Sequence, residues 1–377
     1  MSKILFWRDR RFIKIVGQAI VLAFVISAIA FFGNNLINNF QRLNLTFGYN
    51  FLSRPASFGI AYSPISYRST DPYFRALFIG LLNSLQIMFF GIIFASVIGV
   101  SVGIGRLSDN WLVKKLTGVY VEVIRNTPLL LQLFFWYFAV FLQLPKIDNP
   151  VIFGNILFLT NRGLNLPWYE SNLRTGLALI AIVGCILLGI ASWSERTSVI
   201  RRNESFISLA ISAIAMVGII CFGIDWTFPQ LEGRAIEGGL KLSIEFATLL
   251  IGLSIYTAAF IAEVVRAGIQ SVDRGQWEAS KALGLKPLPI IRLVIFPQAL
   301  RVMIPPLTSE FLNLAKNSSL AIAIGYSDIY AIGNTISNQT GKSVEILLMI
   351  MAAYLTINLI ISAIMNRFNR LVRKNYS

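Results

Sequence analysis

The feature that most limits this chain is a series of long apolar runs. Leu77 to Gly105 contains no Asp, Glu, Lys or Arg, and about 20 such residues suffice for a helix to cross a bilayer. Comparable runs lie at Ile13 to Gly33, Tyr120 to Leu144, Gly176 to Ser192, Phe206 to Ile224, Ile244 to Ile269 and Ile346 to Met365. In hydrocarbon the backbone must satisfy its own polar groups, so these runs are predicted to be helices. Hydrophobic residues make up 55% of the 377, charged residues 14%, and mean hydropathy is +0.67. These values exclude an ordinary soluble fold and predict an all-α polytopic membrane protein.

Val302 to Gly325 is the weakest span, because it holds Pro305, Pro306, Glu310, Asn313, Lys316 and Asn317. Parity demands it nonetheless. The last run is followed by Arg367, Arg370, Arg373 and Lys374, and the first is preceded by Lys3, Arg8, Arg10 and Arg11. Both clusters mark cytoplasmic ends, since Lys and Arg concentrate on that side. The expectation is therefore eight transmembrane helices with both termini cytoplasmic. A cleavable signal peptide ending near Ala30 is the competing reading of the first run, which is longer than a usual signal core.

The net charge of +15 comes from short basic clusters beside apolar runs, which encode topology and do not suggest nucleic-acid binding. There is no histidine, so histidine metal sites and histidine bases are excluded. Cys185 and Cys221 both fall inside predicted spans and suggest no disulfide framework. No metal and no cofactor is expected in this chain.

Three regions follow from this pattern: an N-terminal segment at 1–75 with the first span and an outer loop, a main transmembrane domain at 76–370, and a tail at 371–377. Within the main domain, 146–243 reads as two outer loops and a helical hairpin inserted into a smaller core. Glu122 and Arg125 are three apart in YVEVIRNTPLLL and can pair on one helical face, or merely anchor the helix at the inner surface. Pro128 breaks the ladder just beyond them.

The loop at 267–300 carries the strongest signal. EASKALGLKPLPIIRLVIFP holds Lys281, Lys286, Arg292 and two internal prolines, so it cannot itself cross hydrocarbon. Gly284 stands where a glycine would end a short helix, and a second helix can start after Pro287. Glu278, Ala279, Gly284 and Pro297 match the EAA loop of ATP-binding-cassette importer permeases in type and spacing, whereas Ser280, Val294 and Phe296 depart from it. The Arg125-Asn126-Thr127-Pro128-Leu129 segment and Lys316-Asn317-Ser318-Ser319-Leu320 resemble permeases for polar and general L-amino-acid uptake.

That resemblance implies a type I importer permease fold and a subunit without catalysis of its own. It implies as partners an ATP-binding subunit dimer, a second and often different permease, and a periplasmic amino-acid-binding protein, all at the inner membrane. The chain itself has no nucleotide loop: Gly341-Lys342-Ser343 imitates the end of a P-loop, but its first glycine would fall at Ile336.

The candidate substrate path is the polar set Glu310, Asn313, Lys316, Asn317, Ser318 and Ser319. Glu310, Asn313 and Asn317 recur at three- and four-residue steps, so they share a helical face. A charge facing lipid costs roughly 2.5 to 3.5 kcal/mol at mid-bilayer, which directs such a face toward a wet path or a protein interior. Lys316 would meet an amino acid's carboxylate, and Glu310 its ammonium. Hydrogen bonding between subunits is the other use open to these residues. An ion-coupled secondary amino-acid transporter is the alternative function, but it needs acidic or histidine relays within spans, and the span centres are almost free of them.

Overall fold

The computed structural model describes residues 10–42, 46–154, 156–194, 211, 212, 215, 216, 218, 219, 223–232 and 235–375. Among the described residues, five helices are long and apolar enough to cross a membrane: α1 (Arg10–Arg42), α2 (Tyr73–Gly105), α6 (Ile244–Gln270), α8 (Pro287–Ile324) and α10 (Ser343–Asn375). Between α2 and α6 lie α3 (Trp111–Arg125), α4 (Leu129–Phe134) and α5 (Leu173–Ser194). The short α7 (Arg274–Ala282) precedes α8, and α9 (Ile329–Thr340) precedes α10.

The predicted third span is not one straight helix. Residues Trp111–Arg125 and Leu129–Phe141 meet at 106°, and they raise the number of spans to six if taken as one broken span. Pro128 supplies the reason, because it cannot continue the hydrogen-bond ladder of α3. The Gln132 amide repairs part of the break by donating to the carbonyls of Ile124 and Thr127, at 2.9 and 3.0 Å. Five to six spans thus stand among the described residues, against eight expected. Of the predicted hairpin, the first helix is present as α5, while most of Phe206 to Ile224 lies outside the described residues.

The core forms where small residues let helices close up. Gly99 and Gly103 of α2 face Ile261 and Val265 of α6, where any side chain would collide. Such small-residue contacts are the usual means of helix approach in membranes, where apolar burial alone gives no preference between protein and lipid. Met88, Ala95, Ile261, Val265, Leu314 and Ala315 then form one buried cluster joining α2, α6 and α8. In contrast, none of the residues in the apolar window of α1 is buried.

The segment read as outer loop between α1 and α2 is held on the bundle by specific contacts. Gly48 donates its amide to Glu345 at 3.2 Å, and Tyr62 packs on Phe246 and Tyr326. Burial pushes the Tyr62 hydroxyl above its ordinary value, against the opposing effect of its bond to Gln86.

The segments flanking α5, expected as loops, contain short strands. β1 (Val151–Phe153), β2 (Leu157–Thr160), β3 (Gly163–Leu166) and β8 (Leu240–Leu242) form an antiparallel sheet in that order. β4 (Trp168–Tyr169) pairs with β5 (Trp226–Thr227), and β6 (Gln230–Glu232) with β7 (Ala235–Glu237). Strands β8 and β3 sit at the start of α6, where Ser243 caps the helix by accepting from the Phe246 amide at 3.2 Å.

Candidate functional site

The loop after α6 folds as a helix, a left-handed turn and a second helix. Asp273 caps α7 by accepting from the Gly275 amide at 2.6 Å. At the other end Gly284 has φ +72, its amide donates to Lys281 at 2.9 Å, and the Leu285 amide donates to Ser280 at 3.2 Å. Those two bonds close the helix in a Schellman motif, which places glycine at the left-handed position.

Glu278, Ala279 and Gly284 are exposed, as are Leu283 and Leu288 at 80% and 74%. Ser280, the position that departs from the family pattern, is buried, and its hydroxyl donates to the Gln276 carbonyl at 2.6 Å. Its helix therefore keeps a packed inner face and an exposed outer one. Pro297 is buried.

The second helix does not end at Pro297, as a separate short helix would. It runs on as α8, π-helical over Ile290–Ile295, α-helical over Phe296–Asn317 and 3-10 over Ser318–Ile324. The π turn re-registers the ladder just before Pro297, whose missing N–H would otherwise interrupt it. Gln298 donates to Gln276 at 3.1 Å and ties α8 back to α7. The loop and the polar face are consequently parts of one continuous element.

Along α8 the six polar candidates divide. Glu310 is half-buried. Asn313 and Lys316 are exposed, and Asn317 is half-buried. Ser318 instead turns into the core, fully buried, with its hydroxyl on the Ala315 carbonyl at 2.8 Å. Ser319 donates to the Lys316 carbonyl at 2.8 Å.

Of the two roles the sequence allows Arg125, the pair with Glu122 is not formed among the described residues. The Arg125 guanidinium lies over the Phe260 ring at 5.1 Å, and Phe260 stacks near Tyr256 at 5.0 Å. Arg125 of α3 thus lies beside two aromatic rings of α6. A guanidinium and aromatic faces are groups that bind a zwitterion's carboxylate and its apolar part.

Toward the loop side, Glu263 of α6 accepts from Arg106, the residue just past α2, and from Arg266 of its own helix. Among the described residues, no cluster of His, Cys, Asp or Glu has the makings of a metal site.

Several membrane-length apolar helices and an exposed helix-turn-helix define a multi-span membrane protein. Residues 95–374 match the family described as binding-protein-dependent transport system inner membrane component, and this chain belongs to that family. It is 42% identical over 364 residues to the putative amino-acid ABC transporter permease protein YhdX of Escherichia coli (strain K12), with 94% of this chain and 92% of that one covered. Identity is also 42%, over 371 residues, to the general L-amino acid transport system permease protein AapQ of Rhizobium johnstonii, covering 96% and 92%. The glutamate/glutamine/aspartate/asparagine transport system permease protein BztB of Rhodobacter capsulatus is 37% identical over 403 residues, covering 97% and 95%. These relationships support the ABC importer reading over an ion-coupled secondary transporter.

Proposed function

We propose that this chain is the permease subunit of an ATP-driven importer that carries L-amino acids, polar and neutral with broad specificity, across the inner membrane. Both termini lie in the cytoplasm. Glu278, Ala279, Gly284 and Pro297 belong to the surface that a separate ATPase grips. A second, different permease completes the pore, and a periplasmic binding protein delivers substrate to it. The main transmembrane domain at 76–370, with its inserted 146–243 segment, houses the path.

The observation that carries this reading is the continuity of α8. Its first residue follows the Gly284 turn, and Glu310 lies on the same helix. From Pro297 to Glu310 the rise is about 20 Å at 1.5 Å per residue. Movement of the loop is passed along α8 to Glu310 and the polar residues beyond it. ATP drives such a movement only through different affinity for the two conformations of the assembly.

Glu310 and Asn313 meet the substrate's ammonium, and Lys316 and Asn317 its carboxylate and side chain; Ser318 and Ser319 shape the helix end beside them. Uptake of a panel of labelled amino acids, in cells with and without this chain, tests the reading. Loss of several polar and neutral amino acids together is expected on deletion. Unchanged uptake of every amino acid in the panel would overturn it.

A further inference from the structure

A cavity of about 710 Å³ opens on the side of the α7 loop, where α2 ends, α3 begins and α6 ends. Arg106, Lys114, Lys115, Glu122 and Arg266 are among the residues lining it, with Trp111 exposed beside them. We propose that this cavity is the loop-side mouth of the substrate path, and that Lys114 and Lys115 make it favour anionic substrates over neutral ones. The proposal rests on the transport function just described.

Two observations place the cavity on the path. Lys115, Gly118, Glu122 and Arg125 follow one another at three- and four-residue steps, so they share one face of α3. That face begins in the cavity and ends at Arg125, which lies over Phe260 of α6, the helix that packs on α8. Ionisable side chains at such depth need water or a protein partner. The exposed apolar side chains of α3, Leu112, Leu116 and Val123, lie on a different face and suit lipid.

The division of charge in the mouth identifies the lysines. Glu263 binds both Arg106 and Arg266, which holds the two guanidinium groups in place and offsets part of their charge. Arg266 is further fixed by donating to Gln270 at 2.5 Å. Lys114 and Lys115 are exposed, and among the described residues neither forms an ion pair. Among the described residues, Glu122 is the one acidic residue lining the cavity. The mouth is therefore net positive, and a cleft lined by one sign of charge raises the local concentration of the opposite ion.

Glutamate and glutamine test this directly, because they share shape and differ in charge. Uptake of both is measured in vesicles holding the whole transporter with its ATPase and binding protein. The ratio of glutamate to glutamine uptake is then compared between the native chain and K114Q/K115Q. Because the binding protein is common to both, its own preference cancels. The ratio is expected to fall about threefold or more in the double variant, with K114R/K115R restoring it. High salt on the loop side should lower the native ratio and leave that of the glutamine variant nearly unchanged.

An unchanged ratio overturns the filter. So does an equal loss of both substrates, which would assign the lysines to anchoring α3 or holding an anionic lipid. If the native transporter carries other amino acids of the panel but neither of these, the filter falls and the proposed function stands; if it carries none of the panel, the proposed function falls and this mouth with it.

Discussion

Gly99 of α2 and Ile261 of α6 meet so closely that a β-carbon on the glycine would lie 2.6 Å from the isoleucine Cβ and 2.9 Å from the Ala258 carbonyl. Both neighbours are fixed: Ile261 is branched and fully buried, and the carbonyl belongs to the α6 backbone. Gly99→Ala should therefore force the two helices apart and destabilise the fold by about 1–3 kcal/mol. Gly17→Ala in α1, where nothing lies within 4 Å, should change stability by about 0.5 kcal/mol or less. Thermal unfolding of the two variants in detergent checks the contrast, and equal midpoints would show that the α2–α6 contact is looser than described.

The orientation rests on the clusters of Lys and Arg beside the apolar runs. Reporter fusions at Ser194 and Lys286 should report the cytoplasm, and fusions at Ser57 and Asn161 the opposite side. An outside signal at Lys286 would separate the α7 loop from any cytoplasmic ATPase and end the importer mechanism.

Lys316 is exposed one turn beyond Asn313. If its ammonium meets the carboxylate common to all α-amino acids, Lys316→Met keeps most of the stem and should reduce uptake of every one alike, by about tenfold. Asn317→Ala should instead reorder the preference among amino acids. Uptake competition measures both. A loss confined to acidic substrates in Lys316→Met would reject the shared-carboxylate role.

Where a local rule governs, the sequence was readable. Glu278, Gly284 and Pro287 marked a helix, a left-handed turn and a second helix start, and Pro128 marked the break after α3. The weakly apolar seventh span was recovered from charge parity, and Pro305 and Pro306 do lie inside α8.

Other features depended on contacts between distant residues. Helix α9 is too short to read as a span, although Asp328 caps it by accepting from the Ala331 amide at 2.7 Å and Gly341 ends it at φ +68. Strands of two to four residues around α5 carry too little alternation to be seen. For Arg125 the sequence allows a pair with Glu122 or an anchor at the inner surface, because periodicity reveals partners on the same helix and not Phe260 on another.

The central claim is that the Gly284 turn joins an ATPase-facing helix to the helix bearing the substrate face. Gly284 has open space around it, so a side chain there would be strained only by the backbone angle of +72. A β-branched residue in that conformation costs about 1–2 kcal/mol, enough to unwind the turn without unfolding the bundle. The decisive measurement is substrate-stimulated ATPase activity of the assembled transporter carrying Gly284→Val. The variant should insert and assemble, yet lose both stimulation and transport. Normal stimulation and transport in that variant would contradict the account.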